Sequence, residues 1–210
     1  MIVINLKNYK IGADALELIK KIEIYYNKAI VAVPPVDLAS AVKSTTLQIY
    51  SQHVDFYESG RGTGFIIPEA LLKAGVAGSL VNHSEHRLKL SDIKKTLKRC
   101  NEVGLKLIIC SSSIKEVQQL KKLNPWAIAF EDKKLVATGK SITQFKTHDI
   151  KRFVDVLKET EIIPLCGAGI SSGEDVADAL VLGCKGVLVS SAIANSPNPE
   201  KFLKEISGLF

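Results

Sequence analysis

Glu131 is the residue from which the chemistry of this chain is best read. It ends a short apolar run, Trp126–Phe130, that reads as a buried strand. Polar residues 132–134 follow, then Leu-Val-Ala, Thr138 and Gly139. A carboxylate at the C-terminal end of a buried strand, ahead of a polar loop, is where a β/α barrel carries a general base. Strand-end glutamates are more often ordinary solvated loop residues, so the reading depends on what else reaches the same place. Lys7 follows the first apolar run, Ile2–Ile4, and has no apolar reason to be there. A fixed ammonium at that point would stabilise an anionic intermediate. His83 follows Leu80-Val81, and Ser84-Glu85 after it reads as the first turn of a short helix. A helix N-terminus favours a neutral imidazole that can donate to a carbonyl. His53, His86 and His148 lack that setting and read as structural or exposed.

Two later turns read as a phosphate cradle. Gly167 and Gly169 let the backbone approach a ligand closely, and Ser171 with Glu174 has capping-box spacing for a helix start. Ser190-Ser191 precedes Ala192-Ile193-Ala194, which reads as a short extra helix after the last strand.

These residues need a scaffold that collects strand ends. Eight apolar, β-branched runs recur: Ile2–Ile4, Ile30–Val33, Leu47–Tyr50, Ser79–Val81, Leu105–Ile109, Ala127–Phe130, Ile162–Leu165 and Gly186–Val189. Helical spacing fills most intervals, as in Ala15, Leu18, Ile19 and Ile22, or Ile150, Phe153, Val154 and Leu157. Continuously apolar strands are buried on both faces, as in a parallel sheet covered by helices. The units average about 26 residues, short for a closed (β/α)₈ barrel. The alternative is an open doubly wound sheet, but Asn5-Leu6-Lys7 stands where its glycine fingerprint belongs. No linker or composition break interrupts the chain. The expectation is an α/β fold, a closed (β/α)₈ TIM barrel forming one domain over residues 1–210, with its functional side chains at one rim.

Composition narrows the partners. Hydrophobic content of 46% over 210 residues supports a sizeable core. No apolar run reaches the ~18 residues of a membrane span. The N-terminus begins as a strand and lacks the zones of a signal peptide. A soluble cytoplasmic protein with no membrane partner is expected. The net charge of +6 comes from lysines spread over predicted helices, without interleaved aromatics, so nucleic acid is not an expected partner. Cys100, Cys110, Cys166 and Cys184 show no C-x-x-C spacing and read as reduced thiols.

The residues also carry a resemblance. N-x-K after the first strand, N-H-S-E-H-R after the fourth, Glu then A-T-G after the sixth, and C-G-A-G-I-S-S-G-E-D-V after the seventh together resemble the triosephosphate isomerases. The strand-7 sequence and short chain are similar to the archaeal branch. The resemblance spans Asn5 to Ser191 with the motifs in order. It implies reversible interconversion of dihydroxyacetone phosphate and D-glyceraldehyde 3-phosphate, in glycolysis and gluconeogenesis, with no metal and no organic cofactor. It implies Glu131 as base, neutral His83 as the group that polarises the carbonyl, and Lys7 as stabiliser of the enediolate. Asn5 would bind near the substrate oxygen and Glu85 would pair with Lys7. The substrate would also meet Leu6, Val136, Ala137, Gly169, Ser190 and Ser191. The irregular stretch Val54–Phe65 resembles the loop through which family members pair. Its tip, Thr63, would meet the Asn5 region of a second copy, giving a homodimer or homotetramer. Another phosphosugar isomerase or epimerase, and a non-catalytic phosphosugar-binding barrel, are the alternatives.

The chain departs from the family after Glu131. Asp132 stands in place of the usual proline, and Ala137 in place of a glycine. Losing proline frees one φ angle at the hinge of the expected lid. Ala137 keeps its N–H but does not readily take φ above zero. Lid opening at an altered rate is expected, and relaxation dispersion on an Asp132→Pro variant should show that rate change again. Equal rates in the two proteins would refute the idea.

Overall fold

The computed structural model describes residues 1–131, 143 and 147–209. Eight parallel strands close into one barrel in sequence order. They are β1 (Ile2–Asn5), β2 (Ile30–Val33), β3 (Gln48–Ser51), β4 (Gly78–Val81), β5 (Lys106–Ser111), β6 (Ala127–Phe130), β7 (Ile163–Gly167) and β8 (Gly186–Val189). The described helices are α1 (Gly12–Tyr25), α2 (Leu38–Ser44), α3 (Pro68–Lys73), α4 (Leu90–Val103), α5 (Ile114–Lys121), α6 (Thr147–Leu157), α7 (Gly173–Val181), α8 (Ser191–Ala194) and α9 (Pro199–Ile206). A 3₁₀ turn, Pro35–Asp37, precedes α2. None of the described helices is long and apolar enough to cross a membrane.

Alternation along each strand divides the core in two. Val3, Ile30, Ala32, Tyr50, Leu80, Ile108, Ala127, Ala129, Leu165 and Leu188 fill the barrel lumen. Ile2, Ile4, Val31, Ile49, Val81, Ile109, Ile128 and Val187 point outward into the layer shared with the helices. Both faces are therefore dry, which is why the runs are apolar without a break. The lumen depends on small partners for Tyr50. At Gly78 a Cβ would sit 2.4 Å from the Tyr50 ring and 2.6 Å from the Lys106 carbonyl, so no other residue fits without displacement.

The helices dock by the apolar stripes read from the sequence. On α4, Ile93, Leu97 and Cys100 are buried, and Gly104 ends the helix at φ 77°. On α6, Ile150, Phe153 and Leu157 form the buried face, and Phe153 stacks on Phe130 with ring centroids 5.2 Å apart. All four cysteines are buried and free.

Strand ends fall within two residues of the sequence reading, with β5 extended to Ser111. Two local expectations are corrected. Ser84-Glu85 does not begin a helix: it forms a single turn, closed by the His86 N–H donating to the His83 carbonyl at 2.9 Å, and the next helix starts at Leu90. The capping box after β7 is Ser172 with Asp175, one residue beyond Ser171 with Glu174. Asp175 wins because its carboxylate also takes the Ser171 N–H, at 2.8 Å.

Candidate active site

Parallel strands put every C-terminal end on one rim, and the local turns then aim the side chains. At the end of β1 the Asn5 Oδ1 accepts the Lys7 N–H at 3.0 Å. The backbone of Lys7 is left-handed, φ 48°, a conformation that costs a non-glycine residue ~1 kcal/mol. The Gln52 Nε2 at the end of β3 donates to the Lys7 carbonyl at 3.0 Å, holding that turn. The Lys7 Nζ then lies 2.7 Å from the Glu85 Oε1.

His83 leaves β4 behind Asn82, itself left-handed at φ 61°. The Glu85 N–H donates to His83 Nδ1 at 3.3 Å. A ring nitrogen that accepts carries no proton, so in this geometry the neutral ring has its proton on Nε2. That Nε2 lies 3.4 Å from the Glu131 Oε1. Glu131 is 5% exposed, and its Oε2 is buried without a hydrogen-bond partner among the described residues. Its N–H donates to the Ser111 carbonyl at 2.8 Å. Burial pushes the neighbouring Cys110 thiol well up, and the Glu131 carboxylate adds to the effect. Lys7, Glu85, His83 and Glu131 thus form one chain of contacts.

Lys7, His83 and Glu131 face a cavity of about 40 Å³. Its opposite wall is Ala168, Gly169 and Ile170 from the turn after β7, and Ser190 and Ser191 from the end of β8. Ala168 and Gly169 are both left-handed, φ 75° and 71°, which reverses the chain sharply at the rim. Such consecutive turns gather backbone N–H groups into anion-binding concavities. The N–H groups of Ser171 and Ser172 do not take part, since both donate to Asp175.

Of the residues singled out in the sequence, Asn5, Lys7, His83, Glu131, Gly169, Ser190 and Ser191 line this cavity together. Leu6 does not: its side chain is wholly buried in the outer core and its N–H donates to the Ala32 carbonyl. Val136, Ala137 and the positions around them, including Asp132, lie outside the described residues. Tyr9, Ala168 and Ile170 join the lining without having been singled out. Tyr9 carries no local signal, whereas Ala168 sits between the two glycines that were noticed.

A wider groove of about 650 Å³ shares Asn5, Lys7 and His83 with the cavity and runs outward past Gln52, His53 and His86. His53 and His86 stack with ring centroids 4.3 Å apart. Burial holds the His53 imidazole below its ordinary pKa although Asp55 lies 3.2 Å away. His148 is exposed on α6.

The family model described as "Triosephosphate isomerase" matches residues 1–207. The chain belongs to the triosephosphate isomerase family. Curated members include those of Methanocaldococcus jannaschii, 36% identical across 98% of both chains, and Saccharolobus solfataricus, 39% identical across 98% of this chain and 93% of the relative. The member from Sulfurisphaera tokodaii is 36% identical across 98% of this chain and 93% of its own. Membership makes the chain an isomerase, and the archaeal origin of these relatives agrees with the resemblance read from the strand-7 motif.

Gly167 packs directly against Glu131. A Cβ there would lie 2.8 Å from the Glu131 Cγ. Gly167→Ala is expected to push the carboxylate off its line to His83 and lower kcat about tenfold or more, with the barrel still folded by circular dichroism.

Proposed function

We propose that the chain interconverts dihydroxyacetone phosphate and D-glyceraldehyde 3-phosphate, the reaction named by its relatives, in the cavity between Lys7, His83 and Glu131. Glu131 removes a proton from the carbon beside the carbonyl and returns it to the neighbouring carbon. His83 donates from Nε2 to the carbonyl oxygen and moves protons between the two oxygens. The enediolate that forms is stabilised by the Lys7 ammonium, with Asn5 steadying the substrate oxygen and the Lys7 turn. Glu85 fixes both partners, through its carboxylate to Lys7 and its N–H to His83. The phosphate is held by backbone groups of Gly169, Ser190 and Ser191.

The observation that carries this reading is the 3.4 Å approach of His83 Nε2 to the Glu131 Oε1 in a cavity walled by the two turns. It joins an acid and a base separated by 48 positions in the chain, counted from 131 − 83. A purely binding barrel needs the turns but not a buried carboxylate oxygen that has no hydrogen-bond partner among the described residues.

The coupled assay with glyceraldehyde 3-phosphate tests the reading. Glu131→Gln keeps the shape and removes the base, so kcat is expected to fall by about 10³-fold or more. A fall of less than about tenfold would remove Glu131 from this role.

We further propose that two copies of the chain pair through 54–65 and the wider groove. The loop is tied together by its own contacts. The Asp55 N–H donates to the Ile66 carbonyl at 2.8 Å, and the Ile66 N–H donates back to the Asp55 carboxylate at 2.8 Å. Tyr57 stacks on Phe65 at 3.8 Å and on Phe56 at 4.6 Å. Thr63 is exposed at the tip, and Tyr9, Val36 and Phe65 leave apolar surface open at 40%, 86% and 45%. A preorganised loop beside a groove favours association, because little ordering entropy is lost. Light scattering should return at least twice the chain mass of 22.9 kDa. A fully active species at the single-chain mass at all concentrations would overturn the pairing.

A further inference from the structure

Glu116 belongs to none of the motifs above, yet its carboxylate is held by Ser111, Ser112, Asn82 and Arg87 at once. It lies in the first turn of α5, whose N-cap Ser113 accepts the Glu116 N–H at 3.2 Å. Its side chain turns away from solvent, 16% exposed. Oε2 takes the Ser112 N–H at 2.9 Å and lies 3.2 Å from the Ser111 hydroxyl. Oε1 takes the Asn82 Nδ2 at 3.0 Å and pairs with the Arg87 guanidinium.

These partners lie on two backbone segments. Asn82 is the residue before His83, and its side chain also donates to the Cys110 carbonyl at 2.8 Å and accepts the Leu88 N–H at 3.0 Å. Arg87 donates to the Asn82 carbonyl at 3.1 Å. The turn bearing His83 is therefore wrapped around Asn82, and Asn82 is anchored on Glu116. On the other side, Ser111 holds the N–H of Glu131 through its carbonyl, as given above, while its hydroxyl faces Glu116.

We propose that Glu116 is a positioning residue for the isomerisation: one carboxylate ties the backbone that carries His83 to the backbone that holds Glu131. The assignment rests on the roles proposed above for that pair. Burial on its own would raise the pKa of Glu116, but the Ser112 N–H, the Asn82 amide and Arg87 outweigh it and hold the group below the ordinary carboxylate range. The charged form is thus the one built into the rim. Ser112 N–H, Asn82 Nδ2 and the Arg87 guanidinium are all obligate donors. A carboxylate, which only accepts, satisfies them together. An amide of the same shape must turn an NH₂ against a donor.

Glu116→Gln is the direct test. The expected result is kcat lowered about ten- to thirtyfold, with KM and inhibition by inorganic phosphate within twofold of the parent, because the cradle after β7 and β8 lies elsewhere on the rim. The imidazole nitrogens of His83 in ¹⁵N-labelled protein give a readout that needs no turnover. They should report one neutral tautomer protonated at Nε2 in the parent and a mixture in the variant. The assignment is overturned if kcat stays within twofold, if KM and phosphate inhibition worsen in step with kcat, or if the nitrogen signals do not change. Should Glu116→Gln fail to fold, Ser111→Ala removes a single contact to the carboxylate and is expected to lower kcat about threefold at constant KM. An unchanged kcat there also overturns it. Absence of isomerase activity in the parent would instead defeat the functional reading, while the nitrogen signals would still test the tie.

Discussion

Barrel closure is the constraint on which the rest depends. β1 pairs with β8 in parallel register, Ile2 with Val187, Val3 with Leu188 and Ile4 with Val189. An open sheet of the same strands would leave the ends of β1 and β8 at opposite edges. Closing it brings Lys7, which follows β1, against Ser190, which follows β8, and only then do the ammonium and the cradle share a cavity. The seam is tight: a Cβ on Gly186 would lie 2.0 Å from the Met1 carbonyl, so the strands meet there backbone to backbone.

On that scaffold the rim is organised by a chain of polar contacts. Lys7 meets Glu85, Glu85 meets His83 through its N–H, and His83 meets Glu131. Lys7, after β1, is held by Glu85, after β4, and His83 faces Glu131, after β6, while Glu85 and His83 are tied within a single turn. Preorganisation of this kind lets an active site stabilise charge without reorganising as it forms. The Lys7 side chain is only 12% exposed, which removes the water that would otherwise screen its field.

Much of this was legible in the sequence because the same residues serve two ends. Strands buried on both faces announce themselves as apolar runs, and a charged residue at the end of such a run stands out against them. Lys7, His83 and Glu131 were visible for that reason. The errors arose where side chains compete for the same backbone donor. Asp175 takes the Ser171 and Ser172 N–H groups, and no sequence spacing says that it will outbid Glu174. Ser84-Glu85 has helix-start chemistry, but the turn closes after one hydrogen bond and the chain is irregular up to Leu90. Glu116 was invisible because its partners, Asn82, Arg87, Ser111 and Ser112, come together only once β4 and β5 lie side by side.

Lys7 and Ala168 flank the cavity in backbone conformations that L-residues avoid and glycine accepts. At ~1 kcal/mol each, the two are a visible fraction of the 5–15 kcal/mol by which a domain of this kind usually holds together. Glycine at either place would relax the chain, yet at position 7 it would delete the ammonium. Selection of variants for heat resistance alone would therefore drift toward a calmer rim that lacks its cation.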